Sequence, residues 1–506
     1  MENLSEVMQL FLAWENFLAI SIGVLIGVVV GAIPGLTATM AVALALPFTF
    51  SMQPVAAILL LVGIYKGGMY GGSITAILIR TPGSPASACT LLDGYPMAQQ
   101  GHAKKALKTA LYSSVIADFI SNIALIFFAA YLAEIALNFG APEFFWLICF
   151  SLTIIISLAS GSMIKGLLAA LMGILLSLVG LDDVFGSQRL TFGNYNLMDS
   201  ISFIPLLIGL FAIPEIIEFY RKKAVPHIKA KASGAGLSWV ELKRCMKSII
   251  RGSLIGVIIG AIPGTGATAA AFISYSDAKR RSPRRDNFGK GEVEGVAAAE
   301  AGNNGVAGAT LIPLLSLGIP GDVITAIILG AFMVHGLTPG PLLFQENLPL
   351  IYALFMGIMF SSLVLLVVGN GAIKYFSLIA DIPKSILFPI VLMFCVYGAY
   401  AVNNDSFDVW LMMGFGVMGY IFSRAGIPTA PFLIGFILGP MFESNLRRSL
   451  LIGDNDLSIF VRGPITWFFI ALTLGSISLA LHRYVTARRR PTQPDTSVNA
   501  EEERTR

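Results

Sequence analysis

GVLIGVVVGAIPGLTATMA, residues 23–41, recurs as GSLIGVIIGAIPGTGATAA, residues 252–270, with 13 of 19 positions identical and no gap. In each copy apolar residues run up to Pro-Gly, and small or hydroxyl residues follow. In a soluble protein Pro-Gly marks a turn. Inside a long apolar segment, lipid cannot satisfy the backbone groups it frees. Such a break is tolerated only where protein buries it or where it lines a cavity. Two breaks at matching places in two halves point to a transporter's binding site.

Composition supports the membrane reading. Of 506 residues, 56% are hydrophobic and 13% charged, and the mean hydropathy is +0.77. A soluble domain carries about 25% charged residues. Many apolar runs reach or approach the ~20 residues that span a bilayer. The chain reads as an all-α polytopic membrane protein with about twelve transmembrane segments in the lipid bilayer. The net charge of +4 does not indicate nucleic acid, because the basic residues cluster in loops beside apolar segments, the pattern of membrane orientation. Cys89, Cys149, Cys245 and Cys395 form no C-x-x-C, and the four histidines lack ligand spacing, so neither disulfides nor a metal site is indicated. There is no H-E-x-x-H, no aspartate-rich diphosphate motif and no G-x-x-x-x-G-K-[ST]. The expectation is a protein that is not an enzyme, with no cofactor, and transport driven by an ion gradient. The opening MENLSEVMQLFLAWENF has acidic residues and no basic n-region. It reads as an interfacial amphipathic helix rather than a cleavable signal.

The duplication extends beyond its strongest block. Residues 55–80 end in Thr81-Pro82-Gly83-Ser84-Pro85, and residues 292–317 close in Gly318-Ile319-Pro320-Gly321-Asp322. Aligning these two ends also matches Gly67 with Gly305. The first segment reads as interrupted at Lys66-Gly67-Gly68 and Gly71-Gly72, the second at Gly302-Asn303-Asn304-Gly305. Further on, Pro205-Leu-Leu-Ile-Gly matches Pro431-Phe-Leu-Ile-Gly, and Pro214 matches Pro440. The expected organisation is a first membrane half (1–220), a basic cytoplasmic linker containing the amphipathic stretch LSWVELKRCMKSII (221–251), a second membrane half (252–462), one final span (463–482) and a polar cytoplasmic tail (483–506).

Charge sets the orientation of the halves. The loop after the first G-A-I-P-G segment is uncharged, whereas its partner contains KRRSPRR. The loop after Pro82-Gly83 is basic, whereas its partner, HGLTPGPLLFQEN, has no Lys or Arg. Cytoplasmic loops collect Lys and Arg, so the repeats read as inverted, with the N-terminus periplasmic and the C-terminus cytoplasmic. Arg447 and Arg448 fall on the outer side as exceptions. Eleven residues, 23–33, make roughly 16 Å of helix at ~1.5 Å per residue, about half of a ~30 Å core. Each G-A-I-P-G element is therefore a re-entrant hairpin with its tip near the midplane, or else a single kinked span.

Several residues suit chemistry there. After Pro34-Gly35 a new helix begins with Thr37 and Thr39; after Pro263-Gly264 it begins with Thr265 and Thr268. Free N–H groups, hydroxyls and glycines make a plausible carboxylate site. The alternative is glycine-mediated helix packing, with threonines bonding their own backbone. Thr81, Gly83 and Ser84, with Pro320 and Gly321, form a second matched pair of breaks. Asn303 and Asn304 offer amides for substrate or, with Glu300 and Asp322, oxygens for a cation. Lys66, Asp118 and Glu300 are ionisable groups within or near spans. Lys66 either faces an anionic substrate or pairs internally with a carboxylate.

GAIPGLTATMAVALALP, YKGGMYGGSITAILIRTPGSPAS, AIPGTGATAAAFISY and EGVAAAEAGNNGVAGATLIPLLSLGIPGDVITAIILGAFMVHGLTPGP resemble the large permease subunit of tripartite tricarboxylate transporters. The resemblance covers roughly residues 18–481. It implies a bacterial inner-membrane uptake system, a periplasmic solute-binding protein and a small four-span membrane subunit as partners. It also implies symport of an organic carboxylate, such as citrate or another tri- or dicarboxylate, with Na+ or H+. A membrane-embedded enzyme acting on a lipid-linked substrate and a passive channel or structural subunit are the alternatives.

Overall fold

The computed structural model describes residues 2–158, 162–182, 186–221, 234–380 and 384–489. The first part of the chain forms α1 (Glu2–Leu12), α2 (Trp14–Gly31), α3 (Ala38–Ala45), α4 (Pro54–Ile79), α5 (Ser87–Gln99), α6 (Ala103–Ala136), α7 (Ala141–Leu158), α8 (Met163–Ser177) and α9 (Phe203–Arg221). The second forms α10 (Trp239–Gly260), α11 (Gly266–Arg281), α12 (Val293–Ala309), α13 (Leu311–Leu317), α14 (Val323–Val334), α15 (Leu343–Glu346), α16 (Leu348–Ala380), α17 (Lys384–Asn403), α18 (Ser406–Ala425) and α19 (Thr429–Ile452), followed by α20 (Pro464–Arg489). Among the described residues, strands are confined to the pair Gly180–Leu181 and Gln188–Arg189. Among the described residues six helices, α2, α4, α6, α16, α18 and α20, contain stretches long and apolar enough to cross a bilayer, and there are shorter apolar helices as well. The protein is an all-α membrane protein, as lipid demands of a backbone that must satisfy itself.

Glycines set the packing. A Cβ on Gly27 would stand 2.3 Å from the Ile64 carbonyl oxygen, and Gly23 and Gly31 meet Leu60 and Gly68 in the same way. Numbers rise together along α2 and α4, so the two helices are parallel. The second copy repeats this: Gly252 meets Ala298, Gly256 meets Gly302 and Gly305, and Gly260 meets Val306 and Ala309. The interruptions expected inside residues 55–80 and 292–317 are not there. Both α4 and α12 run unbroken through their glycines. Those glycines keep their helical hydrogen bonds and serve instead to let a neighbouring backbone approach.

The helix breaks do occur at Pro-Gly, and both make hairpins. Since α4 runs parallel to α2, the chain between them returns to its starting side, and Trp14 and Glu15 share a crevice with Ser51 and Gln53. In the second copy Ser274 of α11 lies against Gly252 of α10, and the Arg251 guanidinium is 3.9 Å from Asp277. The arms therefore lie side by side, with Pro263-Gly264 at the tip. The kinked span is excluded. The copies face each other through α4 and α12, which cross antiparallel. Ser73 reaches Glu300 at 2.5 Å, while Tyr65, earlier in α4, reaches Asp322, beyond the end of α12.

Two segments differ from a loop reading. Lys104, Lys105 and Lys108 lie in the first turns of α6, and the amphipathic stretch before the second hairpin is continuous with its first arm in α10. Ser238 and Glu241 close a capping box at the start of α10, which fixes that start. Arg447, an outer-side exception by charge, is paired with Asp182 at 3.0 Å and Glu443 at 2.7 Å, and Arg189 joins the same carboxylates. Linker residues 222–233 and tail residues 490–506 lie outside the described residues.

Candidate functional site

Each break turns on a glycine in the left-handed region, Gly35 at φ +92° and Gly264 at φ +79°, where a Cβ is penalised. Pro34 and Pro263 are buried, but Gly35 is exposed and has no heavy atom within 4 Å of where a Cβ would stand. The first tip thus leaves Gly35 facing open space. Thr37 caps α3, accepting the Met40 N–H at 3.2 Å. Its hydroxyl donates to Glu215 Oε1 at 2.8 Å. Glu215, on α9 directly after Pro214, was not among the expected site residues. Its signal is an acidic residue inside FIPLLIGLFAIPEIIEF.

At the second tip the Gly264 N–H donates to the Gly321 carbonyl at 2.7 Å, tying the hairpin to the second break of its own half. Thr265 turns its hydroxyl to the carbonyls of Ile262, at 3.0 Å, and Ile259, the backbone-bonding alternative. Thr39 and Thr268 are half-buried, and their hydroxyls have no protein partner among the described residues.

The second breaks match position by position. Helix α4 ends in left-handed Arg80 (φ 56°) and α13 in left-handed Gly318 (φ 72°). Gly83 packs on Gly72 and the Gly31 carbonyl, and Gly321 on Thr310. Ser84 accepts the Ser87 N–H at 3.2 Å, and Asp322 accepts the Thr325 N–H at 2.7 Å. Pro320 is buried, and Thr81 bonds its own backbone at Ile79.

The ionisable groups separate. Lys66 does not face the tips. It is buried against Asp118 at 2.9 Å and donates also to Asn122 at 2.8 Å and Ser361 at 3.0 Å. Of the two arrangements open to Lys66, facing an anionic substrate or pairing internally, the structure shows the internal pair. Glu300 accepts from Ser73, Thr90, Ser114 at 2.9 Å and Asn304 at 3.2 Å. Asn303 is different: it is 1% exposed, and among the described residues neither its amide oxygen nor its amide nitrogen has a partner. In the repeat it stands where Tyr65 stands, but its side chain is much shorter than the phenol that reaches Asp322. A buried amide left unpaired costs about 1–3 kcal/mol. Such a group in a native fold calls for a ligand or water. The helices offer free amides, hydroxyls and an open glycine turn. Those groups suit binding an oxygen-rich solute.

The Tripartite tricarboxylate transporter TctA family model matches residues 17–434. An uncharacterised 52.8 kDa protein from the TAR-I ttuC' 3' region of Agrobacterium vitis is 38% identical over 488 residues, covering 96% of this chain and 97% of that protein. A second uncharacterised protein, from the TAR-II ttuC' 3' region of the same organism, is 37% identical over 234 residues, 46% of this chain and 97% of its own length. No solved structure matches the chain. With a family model spanning most of its length and a relative aligned almost end to end, this chain belongs to the TctA family, the large subunit of the tripartite tricarboxylate transporter.

Proposed function

We propose that this chain is the permease of a secondary carboxylate importer in the bacterial inner membrane. It takes a tri- or dicarboxylate such as citrate from a periplasmic solute-binding protein, works with a small four-span membrane subunit, and couples uptake to entry of Na+ or H+. The two halves are inverted repeats within about twelve membrane segments, with the N-terminus outside and the C-terminus inside. The antiparallel crossing of α4 and α12 supports the inversion. The substrate carboxylates lie between the tips, against the free hydroxyls of Thr39 and Thr268, the open turn at Gly35 and the Asn303 amide. One observation carries this reading: Asn303 is fully buried at the repeat-equivalent of Tyr65 with both amide atoms unpartnered.

Proteoliposomes holding both membrane subunits, supplied with binding protein and radiolabelled carboxylates, test it. Uptake should accumulate substrate above the outside level when a Na+ or proton gradient is imposed. A hydrogen bond to a charged group is worth about 1.5–3 kcal/mol. Thr39→Val, Thr268→Val and Asn303→Leu should therefore each raise the half-saturating concentration roughly 10- to 150-fold. Equilibration without accumulation would make the chain a passive channel. Wild-type affinity in all three variants would remove these residues from the site.

A further inference from the structure

Glu215 reaches the first break from outside the repeat motif, and half of its carboxylate is unaccounted for. Oε1 accepts the Thr37 hydroxyl at 2.8 Å. Oε2 is buried and has no hydrogen-bond partner among the described residues. No state of the proton repairs this. Ionised, Oε2 is an acceptor with no donor; protonated, it is a donor with no acceptor. Two fully buried carboxylates, Asp118 and Glu300, are compensated. Asp118 holds Lys66 at 2.9 Å, and Glu300 takes two donors on each oxygen. Among the described residues Glu215 has neither a cation nor a full set of donors.

A bound cation answers both deficits, since it ligates Oε2 and neutralises the buried charge. Carboxylate, hydroxyl and carbonyl oxygens are the ligands that hard cations take. The break adds such oxygens next to Thr37. Among the described residues, the carbonyls of Pro34, Gly35 and Leu36 accept no backbone N–H. A single carboxylate balances a single positive charge. The second half lacks the group: the match of Pro214 with Pro440 places Met441 where Glu215 stands. We propose that Glu215 and Thr37, with the carbonyls of the first break, form a binding site for one monovalent alkali-metal cation. The inference rests on the transport reading for its role as the coupling site. Its test measures binding without transport, so the two readings fail separately.

The full-length chain, purified in detergent with choline chloride, is melted while NaCl or KCl replaces choline at constant ionic strength and neutral pH. One of the two cations should raise the melting temperature saturably. Glu215→Gln should raise the half-saturating concentration at least about 10-fold, and Thr37→Val should shift it in the same direction. Asp286→Asn, on a carboxylate whose side chain is 92% exposed, should leave it unchanged. If the glutamine variant does not fold, Glu215→Asp keeps the charge and withdraws it by one methylene, and it should weaken the same response. A wild-type melting temperature indifferent to both cations overturns the site. So does a saturable response of equal midpoint in wild type and the Glu215 variants, or a stabilisation that follows pH and ignores Na+ and K+.

Discussion

Tyr65 donates its phenol hydroxyl to Asp322 at 2.7 Å, bridging α4 of the first copy to the second break of the other. The bond spans 257 positions of sequence and joins the two halves beside the proposed substrate space. Asp322 simultaneously caps α14 through Thr325, so one carboxylate fixes a helix start and a contact between halves.

Tyr65→Phe isolates the bridge, because it removes one oxygen and keeps the ring. The loss should be about 1.5–3 kcal/mol, the worth of a hydrogen bond to a charged group. It should appear as a lowered melting temperature of the purified chain. Asp322→Ala should cost more, since it also removes a cap worth about 0.5–2 kcal/mol. Equal melting of Tyr65→Phe and wild type would mean that the halves are held without this bond.

Lys66 and Asp118 should behave as a pair. Lys66→Met leaves a buried carboxylate uncompensated and should destabilise by about 3–5 kcal/mol, whereas replacing both partners with apolar residues of similar size is often neutral. Lys66→Met combined with Asp118→Leu should therefore recover much of the lost stability, and uptake with it. Recovery of melting temperature without recovery of uptake would give the pair a part in transport.

The breaks were legible because Pro-Gly at repeated positions has few other meanings inside an apolar segment. The second breaks were legible for the same reason, and Arg80 and Gly318 share a backbone conformation despite unlike side chains. The glycines of α4 and α12 misled because a glycine that frees the backbone and a glycine that admits a neighbour look identical in one dimension. Only the facing residues, Gly27 for Ile64 and Gly256 for Gly302, tell them apart. Thr37 and Thr265 both follow a Pro-Gly but are not repeat-equivalent, since the gapless alignment pairs Thr37 with Gly266 and Thr265 with Leu36. Thr265 bonds its own backbone, whereas Thr37 reaches Glu215, brought by α9. That pairing spans 178 positions and leaves no periodic trace.

Glycine substitutions separate those two roles. Gly27→Ala and Gly256→Ala place a methyl 2.3 Å and 2.7 Å from a carbonyl oxygen, so the helices must part, and melting temperature or yield should fall sharply. Gly414→Ala meets nothing within 4 Å and should be neutral, or stabilising by roughly 0.5–1 kcal/mol through helix propensity. Similar behaviour of all three variants would remove close packing as the reason for the glycines.

Sidedness can be read by single cysteines in a background lacking Cys89, Cys149, Cys245 and Cys395. An impermeant thiol reagent added outside intact cells should label replacements of Met52 and Leu342. Replacements of Lys104 and Arg284 should react only after the membrane is opened. Met52 and Arg284 follow equivalent hairpins, so labelling of both from one side would end the inverted-repeat reading.

The backbone contact between each hairpin and the helix after it restricts how this protein can work. Along α2–α4 backbone carbonyls lie against Gly23, Gly27 and Gly31, and along α10–α12 only the small side chains of Ala301 and Ala309 join them, so each pair is packed with almost no side-chain layer. Moving either hairpin away from its partner helix would have to part these close-packed backbones. The two pairs meet at the α4–α12 crossing, with Tyr65–Asp322 near one end and Ser73–Glu300 near the other, so any movement of one pair against the other would be borne by those two hydrogen bonds.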